Sequence, residues 1–96
     1  MSSAVATDIT MYVAGDAPNS VTALANLKAA CARHPDHVIR VEVVNVVEDP
    51  MRGLRDGVLV TPMLVRTFPL PERRILGNLH NAALLLSVLG AEPSEL

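Results

Sequence analysis

Apolar and polar residues follow two different periods in the first third of the chain. Residues 9–13, ITMYV, place their apolar side chains on one face and Thr10 and Tyr12 on the other, and this alternation predicts a strand. Residues 19–33 carry apolar side chains at helical spacing after the turn-forming run AGDAPNS. We expect a helix there that ends before Pro35, because the residue preceding a proline disfavours helical backbone.

The middle of the chain predicts a second strand and a short helix. Residues 38–47, VIRVEVVNVV, are β-branched almost throughout, which is typical of a central strand. Asp49 and Pro50 form a helix start, with the carboxylate as N-cap and proline in the first turn, and Gly57 is a natural stop. The second helix therefore spans about residues 50–56.

The last third predicts a hairpin and a closing helix. Residues 58–66 and 74–76 are apolar enough for two strands, which are separated by a proline-bounded turn. Residues 80–89, HNAALLLSVL, are rich in helix formers, and Asn78 is a suitable cap for them. The predicted order is strand, helix, strand, helix, strand, strand, helix.

This order matches an α/β fold of the thioredoxin-like type, βαβαββα, with helices on both faces of the sheet. In that arrangement a proline begins the strand after the second helix, and Pro62 stands at this position. A cis peptide bond suits such a proline, because it turns the chain locally. We expect one domain over residues 9–90, a mobile tail over 1–8 and a second tail over 91–96.

Composition and net charge limit the classes of partner that the chain could bind. The 96 residues are half hydrophobic, with one Tyr, one Phe and a net charge of −2. Neither a nucleic acid nor an anionic membrane would be attracted by such a charge, so an electrostatic role needs a local cluster. Arg66, Arg73 and Arg74 are the candidate cluster.

Cys31 is the only cysteine, which excludes an internal disulfide, a CxxC redox pair and a cysteine-rich zinc site. It is either an inert core residue or a regulatory thiol. Residues 1–8 lack the pattern of an export signal, and no apolar run approaches the ~20 residues that span a bilayer. We therefore expect a cytoplasmic protein.

Three further positions allow a chemical and a structural interpretation. The loop of residues 15–20 is either a capped helix start or an anion site, and without a cysteine it excludes disulfide exchange. His34 and His37, with Asp36, form either a metal site or a solvated turn; no second ligand cluster accompanies them, so we expect no metal. No catalytic triad, carboxylate pair or phosphate loop is recognisable, so we expect no enzyme and no cofactor.

The three arginines also allow two interpretations. They are either a solvated hairpin face or a partner-binding patch, since two neighbouring strands would carry them to one end beside the proline turn. Phe68, flanked by proline, is either an anchor for that turn or an exposed contact.

Four segments carry a family resemblance. They are YVAGDAPNS at residues 12–20, DP at 49–50, TPMLV at 61–65 and PLPERRILGNL at 69–79. Together they resemble the KaiB family of bacterial circadian clock proteins. The resemblance implies two folds for one chain, a tetrameric ground state and a thioredoxin-like monomer, and only the second half rearranges between them.

Such a switch needs two packings of similar free energy and a slow barrier between them, which proline isomerisation can supply. Pro62, Pro69 and Pro71 are therefore candidate switch residues. Val88 and Gly90 are further candidates, because this chain has Val-Leu-Gly where the family commonly has Gly-Leu-Asp. Replacing a mid-helix glycine favours the helix by about 0.5–1 kcal/mol, so we expect a bias toward the thioredoxin-like state.

The resemblance implies a protein without catalysis of its own that docks on a KaiC-type ATPase, by edge-strand pairing and arginine contacts, and modulates its phosphorylation and ATPase cycle. Glu42, where the family usually has lysine, would alter an acidic contact. Further implied partners are a KaiA-like protein, a sensor histidine kinase with a related domain, and, in the alternative state, copies of the chain itself in a dimer or tetramer. The alternative is a redox-inactive thioredoxin-like domain in signalling or as a scaffold.

Overall fold

A computed structural model describes residues 6–90 of the chain. These residues form one four-stranded sheet and three helices, in the predicted order. The elements are β1 (Ala6–Val13), α1 (Pro18–Ala32), β2 (Val38–Asn45), α2 (Pro50–Arg55), β3 (Met63–Phe68), β4 (Arg73–Leu76) and α3 (Ala82–Leu89). The predicted α/β, thioredoxin-like architecture is confirmed.

The sheet has the order β2-β1-β3-β4. β1 pairs in parallel with β2, through the crossover that α1 provides, and antiparallel with β3, which pairs antiparallel with β4. β1 is therefore an inner strand, and its side chains from Ile9 to Val13 are all buried. β2 and β4 form the two edges.

Each face of the sheet has its own hydrophobic core. Against the first face pack α1 and α3, through a cluster that includes Met11, Leu27, Leu64 and Val88. The second face carries a smaller cluster around Tyr12. α2 packs on the second face through the buried Gly53, because a Cβ there would lie only 3.2 Å from Val46 Cγ1.

The first strand is longer than the pattern predicted. It begins at Ala6 instead of residue 9, so residues 6–8 belong to the sheet and not to a tail. Thr7 is 1% exposed, and its hydroxyl donates to the Leu89 carbonyl at 3.0 Å, which ties this segment to α3. The predictions for residues 1–5 and 91–96 lie outside the described residues.

The third strand begins later than predicted, at Met63 instead of residue 58. The Val58 N–H donates to the Gly53 carbonyl at 2.8 Å, so this segment first closes the end of α2. Pro62 has no N–H for a ladder, although its carbonyl accepts from the Gly77 N–H at 2.9 Å. The peptide bonds before the three candidate switch prolines, Pro62, Pro69 and Pro71, are cis.

Of the three helix starts, one has the predicted capping residue and two differ from the prediction. Asp49 caps α2 as predicted, since its side chain accepts from the Arg52 N–H at 3.2 Å. α3 is capped by Asn81, which accepts from the Leu84 N–H, and not by Asn78, whose side chain accepts from the His80 N–H. At the start of α1, no side chain of the described part of the chain forms a cap hydrogen bond.

None of the helices within residues 6–90 has the length and apolar character needed to cross a membrane.

Candidate functional site

The three candidate arginines do not converge on one surface. In the β3–β4 pairing, Arg66 lies opposite Arg73 and Val65 lies opposite Arg74. Because successive side chains of a strand point to opposite faces, Arg66 and Arg74 lie on different sides of the sheet. The two strands do carry the three arginines to the end beside the proline turn, as predicted, but the three side chains do not share one face.

Arg66 is a buried structural residue. Its side of the sheet is covered by α3, and only 8% of the residue is exposed. Its Nη1 donates to the Val88 carbonyl at 3.0 Å, and its Nη2 donates to the Pro71 carbonyl at 2.8 Å. Among residues 6–90, its Nε finds no hydrogen-bond partner. The guanidinium therefore joins the proline turn to the end of α3.

Arg74 lies on the opposite face and holds the connection between α2 and β3. Its Nη2 donates to the Asp56 carbonyl at 2.9 Å and its Nη1 to the Gly57 carbonyl at 3.3 Å. Its Nε also pairs with the Glu72 carboxylate at 2.8 Å. The guanidinium is thus engaged within the chain, although the residue remains exposed.

Phe68, Leu70 and Arg73 form what we call the proline-turn surface. Phe68 ends β3 and is 50% exposed, and Leu70 in the turn is 76% exposed, so Phe68 is open to a contact and is not a buried anchor. Arg73 begins β4 and is exposed, and its guanidinium makes no hydrogen bond or ion pair with other residues in the 6–90 range. This surface therefore offers two apolar groups beside an available cation.

A polar network on the second face was missed by the sequence reasoning. The Tyr12 hydroxyl donates to Asp56 Oδ2 at 2.6 Å, and Arg52 Nε donates to the same oxygen at 2.8 Å. The Arg52 Nη1 and Nη2 atoms also donate to the two carboxylate oxygens of Glu42, both at 2.8 Å. The available signal was the (i, i+4) spacing of Arg52 and Asp56, together with the strand alternation that puts Glu42 and Tyr12 on one face.

Within this network the pKa of Tyr12 is raised and the pKa of Asp56 is lowered, so both values lie further from neutrality than usual. Burial, followed by the hydrogen bond to Asp56, raises the pKa of Tyr12 to about 12. The hydrogen bonds from Tyr12 and Arg52 lower the pKa of Asp56 to about 2. A general acid or base works best with a pKa near the working pH. Tyr12 and Asp56 line a groove of about 270 Å³, and their pKa values make these two groups unsuited to proton transfer near pH 7.

The remaining candidate residues are distributed over the first face and its rim. Cys31 is half-buried in α1, and burial raises the pKa of its thiol, which disfavours the reactive thiolate. His37 lies with Nε2 3.0 Å from the Leu89 carbonyl, and residues 6–90 contain no group of three side chains suited to a metal ion. In the 15–20 loop, the Ser20 hydroxyl accepts from the Ala14 N–H.

Comparison with known proteins adds a sequence family and a fold. Residues 10–91 match the family described as the KaiB domain. The circadian clock oscillator protein KaiB of Synechococcus elongatus is 41% identical over 71 residues, which cover 74% of this chain and 70% of that protein.

Solved structures below 25% identity agree on the fold. The N-terminal domain of Synechococcus elongatus SasA superposes with a TM-score of 0.71 at 21% identity and covers all of this chain and 94% of that one. Chloroplastic thioredoxin z superposes with a TM-score of 0.72 at 19% identity, covering 88% and 76% of the two chains.

Proposed function

The chain belongs to the KaiB family, and on that premise we propose that it binds a KaiC-type ATPase and modulates its phosphorylation and ATPase cycle. The observation that carries this proposal is the family match over residues 10–91. The thioredoxin-like arrangement supports it, because the family resemblance assigns ATPase binding to that state of the chain.

The proline-turn surface is the docking surface that we favour. Phe68 and Leu70 expose apolar area, and Arg73 is available for a carboxylate of the partner. Arginine and aromatic residues are over-represented among the residues that dominate binding energy. Arg66 would contribute only indirectly, since its guanidinium holds the turn against α3. Arg74 would add a contact through its exposed part.

A charge reversal tests this surface. We expect Arg73→Glu to weaken binding to a KaiC-type ATPase by about tenfold or more, because a guanidinium–carboxylate contact becomes a repulsion. Arg33→Glu, an exposed reversal at the end of α1, is the matched control and should bind as the parent does. Calorimetry or a pull-down in each nucleotide state measures the difference. Equal binding by both variants would contradict the assigned surface.

We also propose that the chain has no catalytic activity of its own. The most conspicuous ionisable network, from Tyr12 through Asp56 to Arg52, is internally paired, and the pKa values of Tyr12 and Asp56 lie far from neutrality. The 15–20 loop carries no thiol, and disulfide exchange requires a thiolate. The effect on the ATPase would then arise from binding alone.

Further partners follow from the same premise. A KaiA-like protein would bind the complex, and a sensor histidine kinase with a related domain would compete for the ATPase. The fold shared with the SasA N-terminal domain supports the competition. A displacement assay, in which this chain releases such a domain from the ATPase, tests it. Whether the biological output is a clock or a stress response depends on the ATPase with which the chain is paired.

The second candidate is a redox-inactive thioredoxin-like domain used in cytoplasmic signalling or as a scaffold. The superposition on a thioredoxin, together with the cysteine-free loop, favours it. Failure of the folded protein to bind any KaiC-type ATPase, in either nucleotide state, would favour this candidate over the first. A gene for such an ATPase beside the gene for this chain would favour the first.

A further inference from the structure

The two helices that cover the first face of the sheet leave a groove of about 230 Å³ between them, which we call the α1–α3 groove. The helices run in the same direction. At one end Asn26 Nδ2 donates to the Asn78 carbonyl, and at the other His37, just after α1, contacts the Leu89 carbonyl. On α1 the groove extends from Asn26 to Arg33, which is about 10 Å or two helical turns.

The floor of the α1–α3 groove is apolar and its walls are low. Ala30, Leu79 and Leu85 line it and are buried. Ala29 of α1 and Ala82 of α3 also line it and are exposed. Because the distance between two packed helices depends on the side chains at their contact, these methyl groups allow close approach. The groove therefore suits a helix that presents apolar side chains.

Charged residues around this groove are of one sign. Neither α1, nor α3, nor the connection of residues 77–81 contains Asp or Glu, although the chain has ten acidic residues and a net charge of −2. Arg33 lines one end, is exposed and makes no ion pair within residues 6–90. The guanidinium is available to a carboxylate, so charge complementarity selects an acidic partner.

His80 lines the other end of the groove. The Asn78 Oδ1 atom accepts from the His80 backbone N–H at 3.1 Å and lies 2.9 Å from His80 Nδ1. Since this amide oxygen can only accept, Nδ1 carries a proton and Nε2 is left for a partner. A carboxylate at Nε2 would bind the imidazolium form, in which both ring nitrogens donate. Each end of the groove therefore has a group that pairs with an acid.

We propose that the α1–α3 groove binds an amphipathic helix of a partner protein, with acidic residues at positions i and i+7 and apolar residues at i+3 and i+4. Seven residues span about 10 Å of a helix, and these four positions share one face. The two carboxylates then reach Arg33 and His80, and the apolar pair covers the floor. The groove shares no residue with the proline-turn surface, so the proposal assigns it to a second partner, independent of the ATPase.

A synthetic helix tests the groove. The probe is an alanine-based peptide of about 18 residues, held helical by a lactam link on its far face. It carries two Glu residues seven positions apart, with Leu at the third and fourth positions after the first Glu. We expect its fluorescence anisotropy to rise on binding, with amide NMR shifts confined to residues 26–33 and 79–86. The same peptide with Gln in place of both Glu residues should bind about tenfold more weakly or worse.

Matched substitutions on α1 locate the contact. Arg33→Glu should weaken peptide binding by about tenfold or more, because an attraction becomes a repulsion. Lys28→Glu, an exposed reversal on the same helix but outside the groove, should bind as the parent does. Ala29→Gln places a longer side chain in the groove and should also weaken binding, whereas Ala25→Gln, exposed but outside it, should not. Circular dichroism checks that each variant is folded.

A parent protein that does not bind the acidic peptide would overturn the proposal. Equal binding of the Glu and Gln peptides would do the same, as would a Lys28→Glu variant as impaired as Arg33→Glu. Binding of anionic lipid vesicles in place of the peptide would show a membrane surface instead of a helix site. These assays contain no ATPase, and Arg33→Glu is expected to retain ATPase binding, so failure of this proposal is distinguishable from failure of the proposed function.

Discussion

At the scale of single residues, Arg66 and Arg73 show how position decides the role of a side chain. They lie opposite each other in the β3–β4 ladder and share one side of the sheet. Arg66 is covered by α3 and donates to the carbonyls of Val88 and Pro71, whereas Arg73 is exposed at the edge. The same residue type therefore serves as an internal tie in one case and as an available contact in the other.

This contrast predicts different stabilities for two matched substitutions. We expect Arg66→Met to lower the free energy of unfolding by about 1–3 kcal/mol, because the buried carbonyl of Val88 and the partly buried carbonyl of Pro71 lose a donor. Arg73→Met should change it by less than about 0.5 kcal/mol, as is usual for exposed positions. Denaturant unfolding of both variants gives the comparison. Equal stabilities would mean that the hydrogen bonds from Arg66 contribute nothing net.

A second prediction at this scale concerns Tyr12. It is the only tyrosine in a chain without tryptophan, so the ultraviolet signal of tyrosinate reports on it alone. Its pKa is raised from 10.0 to about 12, so the folded state holds the proton more tightly than the unfolded state. The resulting stabilisation is complete below pH 10 and is lost as the pH rises from 10 to 12.

We expect Asp56→Asn to move the Tyr12 titration back toward 10, because the carboxylate contributes both a hydrogen bond and a repulsive charge. Glu72→Gln, in the same groove but without a bond to Tyr12, is the control and should leave the midpoint in place. A midpoint near 10 in the parent protein would show that the network does not form in solution.

At the scale of elements, α3 is held chiefly at its C-terminal end. The Leu89 carbonyl accepts from Thr7 and lies 3.0 Å from His37 Nε2, and the Val88 carbonyl accepts from Arg66. Gly90 then ends the helix in the left-handed conformation, with φ of 76°. Contacts from β1, β3 and the α1–β2 connection thus meet at one helix end.

Gly90 provides the test at this scale. We expect Gly90→Ala to lower the free energy of unfolding by about 1–2 kcal/mol, because a Cβ disfavours the left-handed conformation. The new Cβ would also lie 3.4 Å from His37 Nε2. Gly90→Asn should cost less, since asparagine tolerates this conformation better. Thermal or denaturant unfolding ranks the three proteins, and an alanine variant as stable as the parent would contradict the assigned cap.

At the scale of the whole molecule, the second half of the chain packs against the first through β3 and α3. Val88 lies at the centre of this contact and is fully buried. The expected alternative state, in which the second half rearranges, would require these contacts to be exchanged for others. The balance between the two states, which stays a prediction, therefore depends on how well α3 docks.

Val88→Gly tests that balance. Loss of the buried side chain and of helix propensity should destabilise the thioredoxin-like state by about 2–4 kcal/mol, and we expect a tetrameric species to become populated. Ser87→Gly, the neighbouring position, should cost only about 0.5 kcal/mol and leave the distribution unchanged. Sedimentation and amide NMR identify the species. A Val88→Gly protein that unfolds without any second folded state, or a parent that is already mostly tetrameric, would contradict the predicted bias.

The sequence by itself determined the features whose causes are local. Hydrophobic periodicity predicted the order of the elements, and cap chemistry predicted Asp49 at the start of α2. The quoted motifs indicated the family, and the order of the elements predicted the thioredoxin-like fold.

Only the tertiary structure decided what the arginine side chains and Tyr12 do. The separation of Arg66 from Arg74 depends on the strand register, and a slip of β4 by one residue would move Arg74 to the face of Arg66. The network of Tyr12, Asp56 and Arg52 forms because α2 packs on the second face of the sheet, to which the Tyr12 side chain of β1 points. The contact between Tyr12 and Asp56 and the contact between Arg52 and Glu42 join different elements of the chain, and periodicity within any single element carries no information about them.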